Sequence, residues 1–141
     1  MQFKYNFSKR SGGDKVPLID VVVANPLNNT KVAYPAMIDS GAFMSVFHKD
    51  IADTLGLDLR KIKEINFGGV GNKKQSLKGK PALVQIMVAQ KGQNHTFDEY
   101  VLFSSDIAPN GYPLLGRMGF FTHFENITFD INADRFYLTT K

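Results

Sequence analysis

The chain has 141 residues, no cysteine and a net charge of +4, and 43% of its residues are apolar. A domain of about this size buries roughly 68–70% of the surface that its unfolded chain exposes, so it needs no disulfide or metal cross-links to be stable. The lack of cysteine excludes disulfides, thiol catalysis and cysteine-bound metals. No apolar run approaches the ~20 residues of a membrane-spanning helix, and the N-terminal segment lacks the apolar core of a signal peptide. We therefore predict no membrane span and favour a cytoplasmic location.

The spacing of apolar residues along the chain predicts mostly β-strands. Apolar side chains alternate with polar ones from Phe3 to Phe7, and later apolar runs are rich in β-branched residues and separated by Asn, Gly and Asp. We predict strands at 3–7, 16–24, 31–39, 62–67, 75–80, 82–90, 96–104, 127–131 and 135–139.

Two short helices are predicted to interrupt these strands. In the segment 48–55, apolar residues lie four positions apart, and Gly56 follows where a helix would end. A second helix is predicted at 116–124. Residues 68–72 are glycine-rich and predict a hairpin tip. Because no linker, repeat or biased tract divides the chain, we predict a single all-β domain over 1–141 with one or two short helices.

One predicted strand ends in an unusual way. The apolar run before Asp39 leads directly into Asp39-Ser40-Gly41-Ala42. A carboxylate at the end of a buried strand is costly unless something holds or uses it. The Ser40 hydroxyl can donate a hydrogen bond, and Gly41 permits a tight loop. On these residues alone, a turn that ends the strand accounts for the pattern better than a functional site does.

Two later motifs change that interpretation. The sequence AMIDSGA at 36–42 is followed by SVF at 45–47, by FGGVG at 67–71 and by PLLGR at 113–117. In this order the chain resembles the retropepsin-like aspartic proteases, the single-domain family of retroviral proteases and their cellular and bacterial relatives. The resemblance covers about residues 16–138. It implies a retropepsin-like acid protease barrel in which the glycine-rich hairpin is a mobile flap.

The resemblance implies an aspartic endopeptidase that acts on extended peptides or unfolded proteins without metal or cofactor. Such enzymes use two carboxylates about 3 Å apart that share one proton, because like charges so close cannot both be ionised. One carboxylate draws a proton from water, and its neutral partner polarises the scissile carbonyl. This chain has one Asp-Ser/Thr-Gly triplet. The resemblance therefore implies a C2 homodimer in which each chain contributes Asp39.

The resemblance also assigns roles to the residues around Asp39. Ser40 would tie the two loops of the dimer together, and Val70 would lie at the tip of the flap. For Val46 and Leu114, core packing explains the apolar character as well as a substrate pocket does. The implied active-site support comes from Ser40, Gly41, Ala42 and Ser45; the substrate-binding residues are Phe43, Val46, Gly68, Gly69, Val70, Gly71, Tyr112 and Leu114; and the structural motif is Leu115, Gly116 and Arg117.

The chain departs from the retroviral pattern just after Ala42. Retroviral members often carry acidic residues there, and these pair with the arginine of the third motif. Here the positions are occupied by Phe43 and Met44. Arg117 therefore lacks its usual partner, and we expect a more apolar subsite.

Competing functions have weaker support. His48, His95 and His123 are too far apart in sequence to form a metal-binding motif. The basic residues are scattered except around Lys73 to Lys80, so we interpret them as a solvated surface and predict no nucleic-acid partner. The alternative that stays open is a retropepsin-like dimerisation or peptide-binding module with weak or no catalysis.

Overall fold

The chain is built mostly from β-strands, which confirms the all-β prediction. The computed structural model describes residues 1–68, 77–108 and 111–141. Within these ranges the helical elements are one α-helix, α1 (Lys49–Leu55), and a 3-10 helix at Phe121–His123. The strands are β1 (Gln2–Asn6), β2 (Ser8–Lys9), β3 (Lys15–Val16), β4 (Leu18–Ala24), β5 (Lys31–Ile38), β6 (Val46–His48), β7 (Ile65–Phe67), β8 (Leu77–Gln90), β9 (Gln93–Ser104), β10 (Leu114–Leu115), β11 (Asn126–Asp130) and β12 (Arg135–Thr139).

The larger sheet closes into a barrel. Its strands follow the order β4-β5-β10-β6-β9-β8, and β8 pairs back with β4, while β7 extends the sheet from β8. Most neighbours are antiparallel, but β10 runs parallel to β5, and β6 runs parallel to β9. Closure leaves fewer strand edges unpaired. The short central strand β10 thus lies between the strands that lead into and out of the Asp39 loop.

Alternate side chains of the barrel strands fill its interior. Val21 and Val23 of β4 and Val84, Ile86 and Val88 of β8 are fully buried. These positions follow the period of two that places every second side chain on the same face of a strand. The core is therefore the inner face that the sequence pattern predicts.

A second, three-stranded sheet joins the two ends of the chain. Its order is β1-β12-β11, and all its pairs are antiparallel. Phe3 and Phe136 are fully buried, and the Tyr5 ring stacks on Phe136 with 5.3 Å between centroids. The Tyr5 hydroxyl is buried without a hydrogen-bond partner among the described residues. Burial, together with the nearby Asp20 carboxylate, raises the pKa of Tyr5 to about 12.

Helix α1 ends at Leu55 as the sequence predicts and begins at Lys49, one residue after the predicted start. At its start, His48 Nδ1 accepts a hydrogen bond of 3.0 Å from the Asp50 N–H. At its end, Gly56 adopts a left-handed conformation (φ 71°), and its N–H donates to the Asp53 carbonyl. The Asn25 side chain donates to the Leu55 carbonyl (3.0 Å), which ties the helix end to the β4–β5 turn. Among the described residues, no helix has the length and apolarity needed to cross a membrane.

Several predicted elements differ from the structure. The strands predicted at 75–80 and 82–90 form one strand, β8, which continues through Pro81. Pro81 lies between the part of β8 that pairs with β7 and the part that pairs with β4, so it interrupts no ladder on that side. The strand predicted at 62–67 is limited to β7. Of the predicted hairpin, residues 69–76 lie outside the described residues.

The helix predicted at 116–124 is wrong in extent. Only Phe121–His123 is helical, as a 3-10 turn. Phe120 and Phe124 are buried and pack edge-on or tilted against each other and against Phe97 of β9. The aromatic residues of this segment therefore form a cluster within an irregular stretch of chain.

The same substitution, Leu→Ala, should change the free energy of unfolding very differently at a buried and at an exposed position. Leu55 is fully buried, whereas the Leu27 side chain is 93% exposed. Leu55→Ala should lower the free energy of unfolding by about 2–5 kcal/mol because it leaves a cavity under α1. Leu27→Ala should change it by less than about 0.5 kcal/mol. Urea denaturation of both variants checks this, and equal effects would contradict the placement of α1.

Candidate active site

The position of Asp39 is set by the pairing of β5 with β10. These strands run parallel, with Met37 opposite Leu114 and Ile38 opposite Leu115. The Asp39 N–H continues the ladder by donating to the Leu115 carbonyl at 3.0 Å. Asp39 is therefore held by backbone at the point where the chain leaves the barrel, and its side chain is partly exposed there.

The Asp39 loop closes on its own carboxylate. Asp39 Oδ1 accepts a hydrogen bond of 2.9 Å from the Gly41 N–H, and the Ala42 N–H donates to the Asp39 carbonyl at 3.2 Å. This is the turn that the sequence predicts for these residues. Within the described part of the chain, Asp39 Oδ2 has no hydrogen-bond partner, so the turn leaves one carboxylate oxygen available. Ser40 lies exposed in this loop.

The segment after β10 crosses the Asp39 loop and is joined to it by backbone hydrogen bonds. The Arg117 N–H donates to the Ala42 carbonyl (3.0 Å), and the Met118 N–H donates to the Phe43 carbonyl (2.8 Å). In return, the Ser45 N–H donates to the Met118 carbonyl (3.1 Å). The motifs that begin at Asp39 and end at Arg117 are therefore one structural unit.

Ser45 and Gly116 form the buried centre of this unit. Ser45 is fully buried, and its hydroxyl oxygen accepts a hydrogen bond of 3.0 Å from the Gly116 N–H. A Cβ at position 116 would lie 2.5 Å from the carbonyl carbon and oxygen of Met44 and 2.9 Å from the Ala42 oxygen. The crossing therefore requires glycine at 116 because the backbones approach too closely for any side chain.

An apolar cleft of about 540 Å³ opens in front of Asp39. Among its described lining residues, Asp39 and Arg117 are the charged ones. Val46 and Leu114 lie opposite each other in neighbouring strands, and both line the cleft, although Val46 is also buried. The described lining residues are Asp39, Gly41, Ala42, Phe43, Met44, Val46, Asn66, Phe67, Gly68, Leu77, Leu102, Ile107, Leu114 and Arg117.

Several of the predicted substrate-binding residues meet at this cleft and others do not. Phe43, Val46, Gly68 and Leu114 line it, whereas half-buried Tyr112 is not among its described lining residues. The remaining predicted flap residues, Gly69, Val70 and Gly71, lie outside the described residues.

Sequence reasoning missed other residues of the cleft. Leu102 reaches it because β9 runs parallel to β6 and places Leu102 beside Val46. Phe67 and Leu77 pair across β7 and β8, at the base of the predicted flap. These contacts come from pairings between distant segments, which a single sequence does not reveal. The other lining residues that were missed are Met44, Asn66 and Ile107.

Arg117 lies over an aromatic ring. Its guanidinium carbon is 5.7 Å from the centroid of the Phe43 ring, within the range of a cation–π interaction. Phe43 itself is 64% exposed. The residue that replaces the acidic partner of the retroviral pattern therefore contacts the arginine through its ring instead of through a carboxylate.

The end of the crossing segment is anchored to β9. His123 Nε2 lies 2.9 Å from Glu99 Oε2, and the His123 ring stacks on Phe97 with centroids 4.0 Å apart. Both members of the His123–Glu99 pair are largely buried. Among the described residues, no group of three or more His, Asp or Glu side chains is arranged to hold a metal ion.

Another hollow, of about 450 Å³, lies on the outer side of the barrel near the end of α1. The one carboxylate among its described lining residues is Asp58, which accepts hydrogen bonds from Arg60 Nε (2.9 Å) and Nη2 (2.8 Å). The Arg60 hydrogen bonds lower the pKa of Asp58 to about 2. Because the Asp58 carboxylate is already bound to Arg60, the described lining of this hollow lacks the available carboxylate oxygen that Asp39 provides in the cleft.

Comparisons with known proteins identify the fold. No protein-family model matches the chain, and no curated protein is detectably similar to it in sequence. The structure resembles a retropepsin-like aspartic protease from Rickettsia conorii, with 22% identity, 98% of this chain and 91% of that chain covered, and a TM-score of 0.57. EIAV protease in complex with the inhibitor HBY-793 matches with 22% identity over 74% of this chain and 84% of that chain, with a TM-score of 0.42. The Rickettsia similarity establishes a retropepsin-like fold.

The crossing at Gly116 predicts a severe effect for a small substitution. Gly116→Ala should lower the free energy of unfolding by about 3 kcal/mol or more, because the added methyl group meets backbone atoms that cannot move aside. Gly92→Ala is a matched control: Gly92 has a positive φ of 80° but nothing within 4 Å of an added Cβ. It should cost only about 1–2 kcal/mol, from backbone strain alone. Urea unfolding of both variants measures the difference, and equal costs would contradict the close crossing.

Proposed function

We propose that this chain, which has the retropepsin-like fold, is an aspartic endopeptidase that works as a homodimer. The observation that carries the proposal is the Asp39 carboxylate, held by backbone at the mouth of an apolar cleft of about 540 Å³. A cleft of this size with few polar groups is typical of a binding site for apolar side chains. Fold similarity alone does not establish an activity, so the proposal depends on this site.

The proposed chemistry needs Asp39 from two chains. One carboxylate is ionised and takes a proton from a water molecule, while the water oxygen forms a bond to the scissile carbonyl carbon. The other carboxyl group is neutral, and it gives its proton to the carbonyl oxygen as the C=O π bond opens, which forms a tetrahedral diol. In the second step the carboxyl group that took the water proton gives it to the leaving nitrogen, the C–N bond breaks, and the C=O bond re-forms as a diol hydroxyl returns its proton to the other carboxylate. Asp39 Oδ1 is engaged by its own loop, which leaves Oδ2 for the water and the partner carboxylate.

Features of the single chain support dimerisation at this face. Ser40 is exposed beside Asp39, where its hydroxyl is available to the loop of a second chain. Phe43 and Met118 are joined by a backbone hydrogen bond, and their side chains are 64% and 47% exposed. Exposed apolar side chains in one patch are typical of protein–protein contacts. A second copy around a two-fold axis would complete the pair of carboxylates and pack against the Met118 side of this patch, leaving the Phe43 ring at the open edge of the cleft.

The proposed substrate is an extended peptide. Such a peptide pairs its backbone with strand edges and places alternate side chains in pockets. Val46, Leu102 and Leu114 provide an apolar wall for those side chains. Phe67 and Leu77 would lie at the base of a flap formed by Gly69, Val70 and Gly71, which would close over the peptide and exclude water.

The first test of this function is the substitution Asp39→Asn. It should reduce cleavage of a quenched fluorescent peptide library or an unfolded protein by ~10²–10⁴-fold or more between about pH 4 and 7. The reason is that the amide of Asn can neither take a proton from water nor share one with residue 39 of the other chain. Asp53→Asn on α1 is the matched control, since the Asp53 carboxylate is exposed and, within residues 1–68, 77–108 and 111–141, its one ion pair is with Lys49. Undiminished cleavage by Asp39→Asn, or no cleavage by an intact wild-type dimer, would refute the proposal and favour a binding module.

The second test asks whether one active site needs two chains. The protein should sediment at about twice the 15.8 kDa of the single chain. In an equal mixture of wild type and Asp39→Asn chains that exchange freely, about a quarter of the dimers carry both carboxylates, so activity should fall to about a quarter of that of wild type at the same total protein concentration. Retention of about half would show that each chain acts alone.

A further inference from the structure

We infer that Arg117 selects the substrate: the cleft takes an extended peptide with apolar side chains near the scissile bond and an acidic side chain that pairs with the Arg117 guanidinium. This inference rests on the proposed function for its substrate class. It follows from the charge in the cleft, from the contacts of Arg117, and from the hydrogen-bonding geometry of a guanidinium that lies over an aromatic ring.

The charge in the cleft is concentrated at two points. Asp39 is the carboxylate of the proposed reaction, and Arg117 is the one cationic side chain among the described lining residues. The other described lining residues are apolar, apart from the Asn66 amide. A charged side chain of a bound peptide in this part of the cleft therefore pairs with Arg117, and that side chain must be anionic.

Arg117 is fixed by its backbone and leaves its side chain unused. Its N–H donates to the Ala42 carbonyl, which holds position 117 against the Asp39 loop. Within the described residues its guanidinium makes no ion pair or hydrogen bond, and its side chain is exposed. Arg60 shows the contrast, because its guanidinium donates two hydrogen bonds to Asp58 and pairs with it at 2.8 Å.

The Phe43 ring presents the Arg117 guanidinium to a ligand. The guanidinium carbon lies 5.7 Å from the ring centroid, and this cation–π contact engages no carboxylate or carbonyl, so the planar fork of N–H donors stays available to a ligand. That fork matches the two oxygens of a carboxylate, and a bidentate pair is both strong and directional. Phe43 thus acts as a platform for anion recognition.

The site also limits where the acidic residue lies in the substrate. Arg117 bonds to Ala42, which is only three positions beyond Asp39, so the acidic residue must lie within a few residues of the scissile bond. In the proposed dimer, two-fold symmetry places an Arg117 toward each end of the cleft. An acidic residue is therefore accepted on either side of the bond.

The test compares peptides that differ by one charge. A peptide with an apolar pair at the scissile bond is prepared with Glu, Gln or Lys at each flanking position in turn, and kcat/KM is measured for each. At the position that meets Arg117, wild type should prefer Glu over Gln by about tenfold or more, as expected for a charge-assisted bidentate hydrogen bond. The preference should weaken as salt is added.

Variants then assign the preference to Arg117. Arg117→Met should bring the Glu-to-Gln ratio to about one, and Arg117→Glu should favour the Lys peptide. Arg117→Lys should keep a reduced preference for Glu, because lysine cannot form the planar fork. Phe43→Leu should reduce the preference by removing the ring beneath the guanidinium. Arg60→Met is the matched control, and its ratio should equal that of wild type.

Binding separates this inference from the proposed function. The Glu, Gln and Lys peptides are titrated against Asp39→Asn protein by fluorescence anisotropy, which needs no catalysis. Tighter binding of the Glu peptide that disappears in Asp39→Asn/Arg117→Met supports the inference even where no cleavage is found. Equal cleavage and equal binding of the three peptides overturn the inference and leave the protease proposal standing. A weaker dimer with an unchanged ratio in Arg117→Met assigns Arg117 to the subunit interface and overturns it as well.

Discussion

The close crossing of two backbones at Gly116 is the constraint on which the site depends. Gly116 lies so near the Met44 carbonyl that no Cβ fits between them, and the Gly116 N–H donates a hydrogen bond to the buried Ser45 hydroxyl. A buried hydroxyl without a partner would be costly, so this hydrogen bond makes the crossing stable as well as close. The backbones of Asp39 and Arg117 are both bonded across the two segments, to the Leu115 and Ala42 carbonyls, so the crossing holds both positions in place.

The barrel makes this crossing possible by placing a very short strand in its centre. β10 pairs in parallel with β5 and in antiparallel fashion with β6, so the strands before and after the Asp39 loop are both held by two residues, Leu114 and Leu115. The sheet that contains β10 is closed, since β8 pairs back with β4. The rigid scaffold carries a short loop with one available carboxylate oxygen, which is the arrangement expected where a loop residue performs chemistry.

Local patterns in the sequence predict local structure well and distant pairings poorly. The alternation in β1 and the stop of α1 at Gly56 depend on neighbouring residues, and both are confirmed. The helix predicted at 116–124 is wrong because its apolar residues serve an aromatic cluster with Phe97, a residue from another strand. Leu102 was missed for the same reason, since it joins the cleft through the parallel pairing of β6 with β9. The motif around Asp39 was visible because its residues are contiguous.

The backbone anchors of the crossing leave the side chain at 117 open to change. The loop is held by the Arg117 N–H, the Ala42 carbonyl and the backbone of Met118, none of which depends on the identity of the side chain at 117. Gly116 has no such freedom, since any Cβ there meets backbone. The Arg117 guanidinium lies over the Phe43 ring and, among the described residues, forms no ion pair, so its donors stay available at the cleft that it lines.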